Sequence, residues 1–249
     1  MELKDAIAVV TGGSGGLGRR ICHALAKAGA KVVVVYAGRK AVAEEVRDEL
    51  IAAGAEASVE QCDHTQPDQV ESLTNNVLKQ YGRIDILVND AAINKSFAFN
   101  DFANMPLDNW DDVMTANLTG PMLCSRAVAP IMEKQKCGRI VNIASLAGLI
   151  PNGSSIAYCI SKAGLIHLTR CLAVALAPHV LVNCVAPGFI EGTKATNNLT
   201  PERIDMVKEQ SILKRAVDKD DIAEQVVTFC RSESTTGQVA LIDAGRHFH

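Results

Sequence analysis

Thr11-Gly12-Gly13-Ser14-Gly15-Gly16-Leu17-Gly18 joins an apolar run, Ile7–Thr11, to a helical pattern over Gly16–Ala28. A glycine-rich turn in this setting lets a strand reverse tightly and lets its backbone approach a pyrophosphate. The helix that follows offers free N–H groups and the positive end of its dipole. Three glycine registers fit: Gly13, Gly15, Gly18 as G-x-G-x-x-G; Thr11, Gly12, Gly16, Gly18 as T-G-x-x-x-G-x-G; and Thr11, Gly12, Gly15, Gly18 as T-G-x-x-G-x-x-G.

Outward from this turn, apolar runs alternate with amphipathic stretches. The strand-like runs are Ile7–Thr11, Val32–Tyr36, Ala57–Cys62, Ile84–Asn89, Ile140–Ala144, Val180–Val185 and Val239–Ile242. They are rich in Val and Ile and mostly unalternating, as in strands covered on both faces. Helical patterns lie between them: Gly16–Ala28, Ala41–Ala53, Pro67–Tyr81, Leu107–Lys134, Ser155–Ala177 and Lys219–Cys230. Pro121 and Pro130 predict kinks in the fourth. Strict βαβα order predicts a doubly wound parallel seven-stranded sheet with helices on both faces, a three-layer αβα sandwich. One domain over 1–249 is expected. The stretch 189–217, with Thr193, Asn197 and Asn198, lacks a clean period and is the candidate mobile substrate loop.

Composition narrows the function classes. Among 249 residues, 48% are hydrophobic and 21% charged, which is globular. A net charge of −3 gives no attraction to nucleic acid or anionic lipid. No run is long enough for a membrane span, and no leader is expected ahead of the first strand. The eight cysteines form no C-x-x-C and no zinc spacing, and most sit in apolar runs, as Cys171 does. Reduced, buried thiols in a cytoplasmic protein without a metal are expected.

The end of the second strand chooses the nucleotide. A carboxylate there would bind the ribose 2′-hydroxyl of NAD. Here Tyr36-Ala37-Gly38-Arg39-Lys40 places two cations instead, and no carboxylate stands before Glu44. That favours a 2′-phosphate, hence NADP, with NAD as the alternative.

Tyr158 and Lys162 are four apart in a helical pattern and share a face. A nearby ammonium stabilises phenolate, which would lower the tyrosine pKa and make Tyr158 an acid/base. Ser145 ends the strand Arg139–Ser145, and strand C-termini in such sheets face the ligand crevice.

With these pieces the chain resembles the short-chain dehydrogenase/reductase family from end to end, in its single-domain branch. It is most similar in general pattern to 3-oxoacyl-carrier-protein-reductase-like members. The matching pieces are Thr11–Gly18, Asp63, Asn89-Asp90-Ala91-Ala92, Asn117, Ser145, Tyr158, Lys162 and Pro187-Gly188. The resemblance implies a Rossmann-like fold and NAD(P)(H)-dependent chemistry on a secondary alcohol or ketone. It implies a catalytic set of Asn117, Ser145, Tyr158 and Lys162. Tyr158 would move the proton and Lys162 would lower its pKa and bind the nicotinamide ribose. Ser145 would orient the carbonyl, and Asn117 would hold a water that links Lys162 to solvent. The implied cofactor contacts are Gly12, Ser14, Gly15, Gly16, Leu17, Gly18, Tyr36, Arg39, Asp63, His64, Asn89, Ala91, Tyr158, Lys162, Pro187, Gly188, Ile190 and Thr193.

The chain departs from the family pattern at several points. Asn-Asp-Ala-Ala replaces N-N-A-G, so Asp90 adds a carboxylate that needs a partner or solvent. Gly15 stands where NADP-dependent relatives often carry arginine. His64 replaces the usual valine. The turn 232–237 is short. Few basic residues line the helix after Tyr158, where Val174 stands, so an acidic carrier protein is not the expected partner. An extended-branch epimerase would need a further substrate domain beyond His249. A nucleotide-binding sensor of the same fold is the alternative function, although such chains typically lose the Tyr or the Lys. The apolar faces of Leu107–Lys134 and Ser155–Ala177 predict a homotetramer, with a dimer as the alternative.

Overall fold

The computed structural model describes residues 1–193, 196 and 200–248. Asn197 and Asn198 therefore lie outside the described residues. Seven parallel strands form one sheet in the order β3-β2-β1-β4-β5-β6-β7. The strands are β1 (Ile7–Thr11), β2 (Lys31–Tyr36), β3 (Ala57–Gln61), β4 (Ile86–Asn89), β5 (Gly138–Ile143), β6 (Val180–Pro187) and β7 (Val239–Ile242). Their order reverses between β1 and β4, where ligand crevices open in doubly wound sheets.

The inner strands read as largely apolar runs because both faces are covered, while the edge strands β3 and β7 are only half-buried. Along β1, Ala8 and Val10 enter one core while Ile7 and Val9 enter the other. Helices α1 (Gly16–Lys27), α2 (Lys40–Ala52) and α8 (Lys219–Arg231) cover the first face. Helices α3 (Pro67–Tyr81), α5 (Gly120–Gln135) and α6 (Ile156–Ala175) cover the second. On α1, Leu17, Ile21 and Leu25 form a buried stripe at spacing four. Proline opens α3, and Gly82 closes it in the left-handed region at φ 75°.

The structure departs from the sequence reading at four places. The long pattern 107–134 is α4 (Leu107–Met114), a π-helical turn over Thr115–Thr119, and then α5. Pro121 falls in the first turn of α5, where its missing N–H costs least. Pro130 sits inside α5 without ending it. Part of 189–217 is helical, as α7 (Pro201–Glu209), capped by the Thr200 hydroxyl. No residue of α7 is buried, so no apolar stripe announced it. The strand before Ser145 stops at Ile143, two residues short. All eight cysteines are free, and Cys171 is exposed on α6 rather than buried. Among the described residues no helix is long and apolar enough to cross a membrane.

Candidate active site

The crevice at the C-terminal ends of β1 and β4 is built on Thr11. Its hydroxyl donates to the Val88 carbonyl at 3.3 Å and accepts from the Asp90 and Ala91 N–H groups, both at 3.2 Å. That clamp sets the glycine turn against the loop after β4. Gly12 has φ 69°, and a Cβ there would lie 2.9 Å from Ala91 Cα. A Cβ on Gly18 would lie 2.3 Å from the Gly12 carbonyl oxygen. Both positions admit only glycine. These two fix the registers that begin Thr11-Gly12; the one starting at Gly13 leaves Gly12 out. Gly15 caps α1, with Ser14 buried before it and Leu17 facing the core after it. A backbone with no side chain at the open N-terminus of α1 is a cradle that suits a dinucleotide pyrophosphate. The loop after β6 approaches from the other side. The Gly192 carbonyl oxygen comes 3.4 Å from where a Gly16 Cβ would stand. Pro187 ends β6, and Gly188 packs so closely on Asp243 that a Cβ would lie 2.7 Å from its Cα. Ile190 packs on the core, and Thr193 hydrogen-bonds Thr196.

At the end of β2, Tyr36 is buried and Arg39 is exposed at the N-cap of α2. Lys40 pairs with Glu44 at 3.8 Å. Arg39 pairs with no carboxylate among the described residues, so its charge stands uncompensated after β2. Asp63 follows β3. Burial would raise its pKa, but two hydrogen bonds from Thr65 to Oδ1 outweigh that and lower it. His64 does not present its ring to the crevice mouth. It turns inward and bonds the Ala116 carbonyl at 2.8 Å. Asn89 likewise keeps its side chain under the sheet, donating to Asn142 at 2.8 Å and Ser125 at 3.3 Å.

Four expected side chains converge beyond β4 and β5. Ser155 caps α6 by accepting from the Tyr158 N–H at 3.2 Å, which seats Tyr158 in the first turn. Lys162 lies one turn later, its Nζ 5.8 Å from the Tyr158 ring centre. It donates to the Ile143 carbonyl at 2.8 Å. Ser145 caps the short 3₁₀ turn Leu146–Gly148, its hydroxyl accepting from the Ala147 N–H at 3.2 Å, and it stands close enough to the Tyr158 phenol to pull its pKa down. Asn117, fully buried in the π turn, accepts from the Ile93 N–H at 2.8 Å. Its amide donates to the Ile93 carbonyl at 3.0 Å and to Ser161 at 3.2 Å. The amide of Asn117 thus ties the loop after β4 to α6.

The electrostatics differ from the sequence reading in one respect. Tyr158 is pushed up, not down, because burial of the phenol outweighs the pull of Ser145. Burial also lowers Lys162 to about 8, with Asp90 opposing that shift. The Asp90 residue is half-buried but its carboxyl group is enclosed. Burial raises it to about 7, against the pull of Lys162 and a hydrogen bond from Gly18 N–H. Asp90 therefore has its hydrogen-bond partner in the glycine turn and feels the charge of Lys162 at longer range. Neither relation follows from spacing, since each spans elements far apart in the chain. Ser161 was also missed, although its place one turn after Tyr158 is a visible signal.

The segments 93–97 and 146–154 are latched together: Phe97 N–H donates to the Ser154 carbonyl at 2.9 Å, and the Ser154 hydroxyl bonds Asn94. Lys95 pairs with Asp112, so its charge is compensated.

A family model described as short chain dehydrogenase matches residues 6–204. Curated relatives include a 3-oxoacyl-acyl-carrier-protein reductase of Synechocystis, 44% identical over 203 residues and 81% of each chain. One of the same description from Staphylococcus epidermidis is 38% identical, covering 96% of this chain and 98% of that one. Solved structures of similar fold include an NADPH-dependent 3-quinuclidinone reductase from Rhodotorula rubra, with TM-score 0.91 and 28% identity over 98% of this chain and 92% of that one. A short-chain type dehydrogenase/reductase from Mycobacterium marinum has TM-score 0.89 and 33% identity, covering 98% and 96%.

Proposed function

The chain belongs to the short-chain dehydrogenase/reductase family, and from that premise we propose that it is an NADP(H)-dependent oxidoreductase interconverting a small secondary alcohol and its ketone. The observation that carries this reading is the convergence of Ser145, Tyr158, Lys162 and Asn117 beside the glycine cradle. When bound, the nicotinamide supplies or accepts the hydride. The phenol of Tyr158 donates the proton to the carbonyl oxygen in reduction and removes it in oxidation. Ser145 holds that oxygen beside the phenol and stabilises developing charge by donating a hydrogen bond. The Lys162 ammonium stabilises the phenolate left after proton transfer. Asn117 keeps the loop at Ile93 and helix α6 in register, and its backbone lies in the π turn where a proton path to Lys162 would open.

Arg39, as the uncompensated cation after β2, supports NADP over NAD. The description of the Rhodotorula neighbour as NADPH-dependent points the same way. In this reading Gly12, Gly18, Asp63, Ala91, Pro187 and Thr193 supply the remaining cofactor contacts. The relatives' descriptions name a carrier-bound substrate. We read a free, neutral one here. The chain is acidic overall, the outer face of α6 presents Val174, and the one cation of 93–97 and 146–154, Lys95, is already paired. Ile93, Leu149 and Ile150 beside Asn94, Asn152 and Ser154 suit a small or medium ketone, with 189–217 as the substrate loop.

The reading also includes a homotetramer packed through α5 and α6, with a dimer as the alternative, since Ile160 and Val174 stand exposed on α6. Eight unpaired thiols suit a reducing cytoplasm. A spectrophotometric panel of alcohols and ketones, run with NADPH and NADH, tests the reaction. Turnover of several ketones with NADPH is expected; none with either cofactor would overturn the reading. Light scattering tests the assembly, and a fully active monomer would refute it.

A further inference from the structure

His64 joins two features that the proton-transfer reading leaves unexplained: a histidine after Asp63, and a π turn in front of Pro121. In the π turn the Gly120 N–H bonds the Thr115 carbonyl, five residues back. The next carbonyl, that of Ala116, would by the same pattern accept from residue 121. Proline has no N–H to give. Its ordinary helical donor, Gly120 N–H, is already taken by Thr115. Ala116 is buried, and a buried carbonyl with no donor is costly. The ring of His64 fills that gap, with Nε2 at 2.8 Å from the Ala116 oxygen. A carbonyl only accepts, so Nε2 carries the proton. The ring can reach because residue 120 is glycine: a Cβ there would lie 2.1 Å from His64 Cδ2 and 2.7 Å from Nε2. Burial, reinforced by the charge of Lys162, holds the imidazole below its usual pKa despite the opposing bond to Ala116 and the charge of Asp63. The ring is thus a neutral donor at neutral pH.

We propose that His64 is a positioning residue for Asn117: its Nε2–H replaces the backbone donor that Pro121 lacks and so locks the π turn that presents Asn117 to Ile93 and Ser161. The hydrogen bond lands on the residue just before Asn117, and the ring packs on the glycine three residues after it. A loosened turn would let Asn117 leave both Ile93 and Ser161, the latter one residue from Lys162. The consequence for turnover rests on the functional reading above; the consequence for the turn does not.

The test compares His64→Val, which removes the donor, with His64→Gln, which keeps an N–H at similar reach. Amide exchange over 115–121, read by mass spectrometry without any ligand, should speed up about tenfold in the valine variant and return toward wild type in glutamine, the scale expected for one orphaned carbonyl. With NADPH and the best ketone from the panel, valine should lower kcat about tenfold, leave KM and the NADPH Kd within about twofold, and glutamine should recover most of kcat. Unchanged exchange in folded valine protein overturns the proposal. So does a loss of NADPH affinity matching the loss of kcat, which would make His64 a cofactor contact. If the valine protein fails to fold, the glutamine variant decides: wild-type exchange and kcat support the proposal, and loss of either overturns it. If no ketone is turned over by the wild type, the functional reading fails while the exchange arm still judges His64.

Discussion

Lys162 Nζ stands 5.8 Å from the centre of the Tyr158 ring and donates to the Ile143 carbonyl at the end of β5. Burial acts on the two in opposite directions, raising the phenol and lowering the ammonium to about 8. In both the neutral form gains, so Tyr158 rests as a protonated phenol ready to give its proton to a carbonyl oxygen. Tyr158→Phe keeps the ring and removes only the acidic proton. It should cut turnover by at least about a hundredfold while NADPH binding, followed by fluorescence, stays near wild type. Lys162→Ala should lose both activity and cofactor affinity. Because Lys162 carries its charge only below about pH 8, activity that depends on the charge should fall as pH rises through that value. A phenylalanine variant with a sizeable share of wild-type kcat would remove Tyr158 from the mechanism.

Arg39 is the uncompensated cation after β2, whereas Lys40 is tied to Glu44. Only the 2′-phosphorylated cofactor has a group for it. Arg39→Ala should weaken NADPH binding ten- to a hundredfold, as expected for the loss of a charge-assisted hydrogen bond worth about 1.5–3 kcal/mol. NADH binding should barely change. Titrating both cofactors against wild type and variant checks this, and an equal loss for the two would make Arg39 merely structural.

How legible these features were depended on which physical signal each one left. The inner strands stood out because Val and Ile fill strands covered on both faces, and α3 matched from Pro67 to Tyr81 because proline and glycine punctuate it. The helix α7 left no trace, since a helix with no buried residue has no apolar stripe. The π turn was invisible for another reason. It shifts the hydrogen bonds by one residue without changing the polarity pattern, and Pro121 read as a kink. At the site, Tyr158, Lys162 and Ser145 declared themselves by spacing and strand position. The inward turn of His64 and the enclosure of Asp90 are tertiary facts, set by Gly120 and Gly18, that no local pattern encodes.

Asp90 carries the clearest pH signature. Its folded pKa is raised to about 7, against about 3.9 for an unperturbed aspartate. Between those values the folded state binds more protons than the unfolded one, so stability falls as pH rises through that window. The cost is complete above about pH 7 and amounts to at most about 4 kcal/mol. Asp90→Asn mimics the protonated form and removes the slope. Urea unfolding at pH 4.5 and pH 7.5 should show the two proteins close in stability at the first (within roughly 1 kcal/mol) and the variant more stable at the second, about pH 7 or above. Lys162, depressed to about 8, acts with the opposite sign only at higher pH and does not mask the effect. A constant difference between the proteins at both pH values would refute the assignment.

The glycine turn supplies a test of register that needs no substrate. Gly16 and Gly18 both lie in the first turn of α1, where alanine is ordinarily the better helix former by about 1 kcal/mol. Their surroundings differ sharply. A methyl group on Gly16 would meet only the Gly192 carbonyl oxygen at 3.4 Å, close to ordinary contact. On Gly18 it would meet the Gly12 carbonyl oxygen at 2.3 Å and Asp90 Oδ2 at 2.8 Å. Neither can retreat: the Gly12 carbonyl accepts from Gly15 N–H at 2.7 Å, and Asp90 is held by Gly18 N–H itself. Gly18→Ala should therefore lose about 3 kcal/mol, the upper end of what overpacking costs, and release the cofactor because the cradle moves. Gly16→Ala should keep wild-type stability to within about 1 kcal/mol and lose affinity only through crowding of the pyrophosphate. Urea unfolding and NADPH titration of both variants measure the contrast. Equal stability of the two would mean that α1 does not enter the turn at the closeness on which the cofactor cradle depends.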